Sequence, residues 1–428
     1  MKQKNLTQLR LFALIIIFTG GPALAGGIWL YDLGAPSSGR SGAGSVASAE
    51  DAVTAFANPA GMTLLEHSGL VVGVTALYVN ADFDPGPGTT ETGGGGSNAG
   101  GFTPAGGVYY VYRHSERTQW GLALNSWFGL GLDYDEDWAG RYFAQEADIY
   151  TLALTGTVSR RLSDRVSIGG GLSVVQGELT VKSAVNNAAD GLEDGQISID
   201  GDDTGLGFNL GLMFEVSAAT RIGLTYRSEV EIELGDVLSG SGIGPTLLGE
   251  LQQIGLEPGA TIDLDVTIPQ GLLLGVYHRV SDRLEVMADV GWQDWSEFGV
   301  IGISVNQENP TSLITPTRYD DTWRAALGME WALEPGKWKL SSGISYDSSP
   351  ASSDIRTPEF PLDRQIRLSL GLHRHTGRRF DWSLGYTYVD SGTGRMNASL
   401  GDLTGTIEGS FSPYNVHSLA FSLIGDFR

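Results

Sequence analysis

The chain has 428 residues, no cysteine and a formal net charge of −23. So acidic a balance argues against a nucleic-acid partner, because phosphate backbones recruit basic surfaces. The absence of cysteine excludes a disulfide framework, a thiolate metal site and a thiol nucleophile.

The first segment reads as an address. Lys2, Lys4 and Arg10 form a basic head, Leu11 to Phe18 an apolar run, and Ala23-Leu24-Ala25 a small-residue cleavage site. This pattern predicts a secretory signal peptide over residues 1–25, cut after Ala25. The apolar run is too short to anchor in a bilayer core of roughly 30 Å.

Residues 26–67 show no strand alternation. They are rich in Gly, Ala and Ser from Ser37 to Ala49, pass through a predicted short helix (Ala49 to Ala57) and reach Asn58-Pro59-Ala60-Gly61-Met62. Ile28, Trp29, Leu30, Val53, Phe56, Met62, Leu64 and Leu65 make the segment too apolar for a disordered tail. Its small residues suit tight backbone packing in a confined space.

From Ser68 onward the apolar residues recur with period two, the signature of strands. From Arg221 to Leu234, Ile222, Leu224, Tyr226, Val230, Ile232 and Leu234 share one face. Arg221, Thr225, Arg227, Glu229, Glu231 and Glu233 share the other. The pattern returns at Leu284–Gln293, Trp323–Trp331, Ile366–Leu372, Trp382–Tyr388 and Leu419–Phe427. About fourteen such strands are expected.

The connections sort into two kinds. Short basic turns fall at 114–117, 160–165, 216–220, 279–283, 334–337 and 374–379. Long polar stretches alternate with them near 83–104, 129–147, 184–202, 236–260, 306–321, 348–362 and 391–414. A membrane barrel has short periplasmic turns and long outer loops, whereas a soluble β-protein has no reason to segregate them. Trp292, Trp295, Trp323, Trp331, Trp338 and Trp382 lie near strand ends, as interfacial girdles do. The chain ends in an apolar strand with Phe427 penultimate.

The sequence therefore predicts an all-β fold: a transmembrane antiparallel β-barrel of about 14 strands over residues 68–428. Residues 26–67 are expected to form an N-terminal hatch that plugs the lumen. The expected setting is the outer membrane of a Gram-negative cell, with both termini on the periplasmic side and lipid around a monomeric wall.

Several segments resemble the FadL-type family of outer-membrane transporters, which carry long-chain fatty acids and other hydrophobic compounds and include TodX-like aromatic hydrocarbon members. Asn58-Pro59-Ala60, preceded by Glu50-Asp51-Ala52, is similar to the family's hatch motif. Trp138-Ala139-Gly140-Arg141-Tyr142 resembles its second-loop segment. Thr225 to Val230 is similar to a mid-barrel strand, and Asp294 to Phe298, Tyr346 to Pro350 and Asp363-Arg364 continue the likeness in order. The resemblance spans nearly the whole mature chain. It implies passive uptake without a cofactor: capture in an outer-loop groove, transfer to a lumenal site, hatch movement and lateral exit through the wall. Long-chain fatty acids are the expected cargo, with aromatic or alkane hydrocarbons as the alternative.

A fatty acid needs a greasy groove and at most one or two cations. Leu247, Leu248, Leu251, Ile254 and Leu256 stand at near-helical spacing in the 236–260 loop and are candidates for the groove; packing on a neighbouring loop is the other reading. Strand parity turns Arg227, Arg324, Lys339 and Arg367 into the lumen, where arginine could hold a carboxylate. Lumenal Glu229, Glu285, Asp289 and Glu330 offer these cations structural partners instead. An enzyme is not expected: the six histidines match no nucleophile or metal spacing, and His373 and His375 look like part of a solvated basic turn. A barrel hydrolase is a remote alternative. The acidic stretch Asp190 to Asp203 could attract Ca²⁺ but matches no calcium loop, so no metal is expected.

Overall fold

The structure, a computed structural model, describes residues 36–254, 257–298, 304–305, 319–377, 379–399 and 404–427. The predicted signal peptide lies outside the described residues, as do Ile28, Trp29 and Leu30.

Fourteen antiparallel strands close into one barrel. In chain order they are β1 (Ser68–Pro85), β2 (Gly101–Arg113), β3 (Thr118–Asn125), β4 (Glu146–Arg161), β5 (Val166–Val185), β6 (Gly195–Ser217) and β7 (Thr220–Arg227). The second half comprises β8 (Gly271–Arg279), β9 (Leu284–Gln293), β10 (Thr322–Glu334), β11 (Trp338–Asp347), β12 (Gln365–Arg374), β13 (Phe380–Asp390) and β14 (Thr406–Phe427). Each pairs with its sequence neighbours, and β14 returns to β1 with Ser68 opposite Phe427. Closure removes the sheet edge, the condition for crossing a bilayer with strands. The six short turns gather at the end that carries the start of β1 and the end of β14, and the long connections gather at the other.

The wall is inverted relative to a soluble protein. Leu272, Leu274, Leu327, Leu368, Leu370, Leu419 and Leu423 are exposed on its outside. Asn209, Asp289, Arg324, Glu330, Ser345 and Ser369 are buried within. Trp323 and Trp331 stand exposed near opposite ends of β10, as girdle residues should.

Four sequence expectations change. The alternation from Arg221 to Leu234 is not one wall strand. Strand β7 ends at Arg227, and Val230–Val237 joins Thr261–Ile268 and Ser304–Val305 in a separate three-stranded flap. Val230, Ile232 and Leu234 are buried against Gly205, Gly177 and Gly201 on the inner face of β5 and β6. Period two defines two faces but not which environment receives the apolar one. Accordingly, Glu229 stands exposed beyond the strand and is not a lumenal partner.

Trp295 is likewise no girdle residue: it is buried in an outer loop. The acidic stretch 190–203 is a loop only as far as residue 194, because β5 and β6 pair out to Val185 and Gly195 and residues 195–203 belong to β6. Of its carboxylates, Asp190 accepts hydrogen bonds from Thr246 and Asp194 pairs with Arg141. Finally, the predicted helix at 49–57 is confined to α1, Thr54–Ala57.

The described part of the hatch, from Pro36 to the start of β1, packs inside the barrel. A 3₁₀ turn (Pro36–Arg40) lies on β10 to β13, and a second (Pro59–Leu64) lies on β4 to β6. Helix α1 packs beside β2, β3 and β4.

Candidate functional site

The wall receives the hatch through glycines. A Cβ at Gly223 would strike the carbonyl of Val46, and one at Gly343 would strike the carbonyl of Arg40. Both glycines face inwards, so the missing side chains let hatch backbone lie directly on strand backbone. Sequence reading passed over these residues. The signal was available as glycine at an inward parity position, on strands with otherwise good β-formers.

Asn58 locks the centre of this seat. It is fully buried, and its Nδ2 donates to Val46 O at 2.8 Å and to Leu212 O of β6 at 3.2 Å. Its Oδ1 accepts from the Ala60 amide at 3.1 Å, capping the 3₁₀ turn that Pro59 opens. Ala60 is buried against Met213, and Thr63 Oγ1 donates to Ser167 Oγ of β5 at 2.7 Å. The three residues of the expected hatch motif thus form one joint between hatch and wall.

A charged cluster fastens the other side. Arg40 Nη1 lies 2.9 Å from Glu50 Oε2 and 2.9 Å from Glu330 Oε1. Lys339 Nζ lies 3.2 Å from Glu285 and 3.1 Å from Glu330. Burial pushes the Glu50 carboxyl up, but Arg40 and Lys339 overcome it and hold the group below the usual carboxylate range. The carboxylates of Glu50, Glu285 and Glu330 are close enough together to share an ion, but Arg40 and Lys339 already balance them. Beside them Asp51 is pushed up to about 6, mainly by burial.

The four candidate cations fall into two groups. Lys339 belongs to the cluster just described. Arg324 and Arg367 converge on Asp347 at 2.9 and 2.8 Å, and Arg324 also donates to the hatch carbonyl of Ser41. These three are engaged by wall and hatch. Arg227 forms the second group: its guanidinium carbon sits 4.2 Å from the ring centre of Phe56 in α1 and 4.7 Å from that of Trp127.

Above the hatch the lumen turns apolar. One continuous buried cluster joins Ala55, Phe56 and Met62 of the hatch to Trp127 and Phe128 after β3 and to residues of the outer loops. Phe298 centres the upper part, with ring centroids 5.4 Å from Phe128, 4.8 Å from Trp295, 5.7 Å from Tyr319 and 5.6 Å from Phe360. Trp138 of the second-loop segment is buried and stacks on Tyr134 at 4.0 Å. The flap residues Val230, Ile232, Val266 and Ile268 complete the lining. The sequence did not assemble this inward apolar column: Phe128, Phe298 and Phe360 come from connections without periodicity, and the alternation at Val230 and Ile232 does not say what covers them.

The predicted loop helix is present as α2, Pro245–Ile254, with Leu247, Leu248 and Leu251 half-buried at its surface. Leu256 and the side chain of Ile254 lie outside the described residues.

A closed barrel with a lipid-facing apolar wall, a plugged lumen and an apolar column above the plug defines an outer-membrane transport protein. Residues 16–418 match the model of the family described as outer membrane protein transport protein (OMPP1/FadL/TodX). The chain belongs to that family. It is similar to the long-chain fatty acid transport protein of Escherichia coli O6:H1, with 27% identity over 87% of this chain and 88% of the relative. Outer membrane protein P1 of Haemophilus influenzae is 25% identical over 89% of each chain. Among solved structures, a Pseudomonas aeruginosa FadL homologue superposes with a TM-score of 0.84 at 22% identity, covering 94% of this chain and 100% of that one. The Ralstonia pickettii toluene transporter TbuX gives a TM-score of 0.66 at 19% identity, covering 93% and 99%.

Proposed function

We propose that this protein carries long-chain fatty acids inward across the outer membrane by passive diffusion, as a monomer with its outer wall in lipid. The carrying observation is the apolar column that runs without interruption from the outer loops to Phe56 and Met62 of the hatch. Porin lumens are polar and water-filled, so an apolar interior favours a greasy passenger. The curated relatives named for long-chain fatty acid transport support that choice of cargo.

In this reading, ligand is caught beside Leu247, Leu248, Leu251, Ile254 and Leu256 and moves down the column. Arg227 is the lumenal cation best placed to meet a carboxylate, since it borders the column. Movement of the joint at Asn58, Pro59 and Ala60 then opens the way. For the exit, the ladder between β2 and β3 offers a place: it stops at Gly107 opposite Asn125, and the chain turns inward at Trp127 and Phe128. Gly101 to Gly106 pairs only with β1, and Pro104, which has no amide to donate, lies in that stretch.

The aromatic ring cluster around Phe298 favours a second reading, uptake of aromatic hydrocarbons. Uptake of labelled oleate and toluene, compared in cells with and without the gene and lacking other transporters, separates the two. Unchanged oleate uptake would overturn the first. We read the protein as a transporter and not a barrel hydrolase. Turnover of a lipid ester by the purified protein, lost on His373→Ala, would reverse that.

A further inference from the structure

The basic turn between β12 and β13 departs from its sequence reading. His373 is the next inward residue after Gly371, which touches Gly39 of the hatch, so the turn lies just below the hatch's foot. His373 and His375 alternate around Arg374, whose guanidinium stacks over the Trp338 ring at 4.4 Å. Period two therefore puts both imidazoles on one face. Their ring centroids are 4.4 Å apart.

Asp381 enters from β13, where Trp382 pairs with Arg374. Its Oδ2 lies 2.8 Å from His375 Nδ1, and its Oδ1 accepts from the Thr376 amide at 2.7 Å. Each of the three residues offers one ligand atom within 4.8 Å of the others. Nε2 of His373 is shielded from solvent and has no hydrogen-bond partner. A buried ring nitrogen without a partner is costly unless something binds it.

We propose that His373, His375 and Asp381 form a binding site for a divalent transition metal at the periplasmic mouth. Two imidazoles and one carboxylate are the donor set of Zn²⁺ and its neighbours in the first transition row. Hard cations such as Mg²⁺ prefer all-oxygen shells. The Thr376 amide orients the Asp381 carboxylate as an outer-shell partner would. With three protein ligands, a fourth position is left for water. The ion braces the β12–β13 turn beneath the hatch and plays no part in carrying the cargo.

The test uses the full-length protein in detergent, with any affinity tag removed and metal stripped by chelator. ZnCl₂ and MgCl₂ are titrated separately by calorimetry, and thermal unfolding is followed with each. One Zn²⁺ per chain at micromolar or tighter affinity, no Mg²⁺ binding, and at least tenfold weaker Zn²⁺ binding in His375→Ala and in His373→Gln are expected. His278→Ala, at an exposed histidine paired with Thr220, should bind as the parent does. Retention of the heat-modifiable barrel band shows that each variant is folded. The absence of saturable Zn²⁺ binding, or its survival in a folded variant carrying both His373→Gln and His375→Ala, would overturn the site.

Discussion

The guanidinium carbon of Arg227 in β7 sits over the ring of Phe56 of the hatch, 4.2 Å from its centre, and 4.7 Å from the ring centre of Trp127. Phe56 and Trp127 also approach each other, at 6.2 Å between ring centroids. A single cation therefore links the hatch helix, the mid-barrel wall and the segment where the chain leaves β3. Desolvated cation–π contacts contribute about 0.5–2 kcal/mol each. Arg227→Met keeps the length of the side chain and removes the charge. It is expected to slow oleate uptake by roughly 3- to 30-fold while the barrel stays heat-resistant on gels. Unchanged uptake would mean that Arg227 is a packing element only.

Asn58 makes three hydrogen bonds from a fully buried position. Asn58→Ala strands the carbonyls of Val46 and Leu212 and uncaps the turn, a loss of about 2–4 kcal/mol from hatch seating. Proteases should then cut the hatch of the variant in detergent at concentrations that spare the parent, and transport should fall. The wall itself should melt as before. If the barrel unfolds along with the hatch, the joint supports the fold and does not gate it.

Glycine at the hatch seat gives a steric version of the same test. Gly223→Ala places a methyl where the Val46 carbonyl sits, and that neighbour is backbone that cannot swing aside. The variant should show the same protease sensitivity of the hatch as Asn58→Ala, with an intact wall. A methyl at Gly156, where nothing lies within 4 Å, should change neither. Equal behaviour of the two variants would refute close backbone contact at Gly223.

The wall was legible in the sequence because membrane and lumen impose opposite demands on alternate residues. Trp323, Leu327 and Leu370 fall outward and Arg324, Asp289 and Ser369 inward, as parity requires. Ser68 opens the first strand at the expected residue. The reading failed where that pressure ends. At Val230, Ile232 and Leu234 the alternation continues past the membrane, but protein replaces lipid as the cover. Trp295 looks like a girdle residue in sequence because an aromatic near a strand end suits either an interface or a loop core. Phe128, Phe298 and Phe360 come together from three separate connections, which no local pattern records.

Asp51 gives the hatch a pH dependence. Burial raises its carboxyl from 3.8 to about 6, against the hydrogen bond from the Val53 amide. The seated hatch therefore binds this proton more tightly than the released one. Seating is strongest below the released value, weakens as pH rises through the interval from 3.8 to about 6, and levels off above it. Hydrogen-exchange protection of residues 52–63, taken relative to the intrinsic exchange rate at each pH, should be greater at pH 5 than at pH 7.5 in the parent. Asp51→Asn keeps an acceptor for Val53 and removes the charge, so the difference should shrink. An undiminished difference in the variant would assign the pH effect to another group.

Capture at the outer surface is separable from passage. Leu247, Leu248 and Leu251 of α2 are half-buried, so serine there removes apolar surface without opening the wall. If the helix first collects ligand, the triple Leu→Ser variant loses about 1.4 kcal/mol of apolar contact. Uptake at low oleate concentration should then fall roughly tenfold and recover at saturating oleate, since the column below is untouched. A variant that instead loses maximal uptake equally at all concentrations would show that α2 supports the loops around Phe298 and does not meet the ligand. The two outcomes differ because a capture site sets how much ligand enters, whereas the column and hatch set how fast it passes.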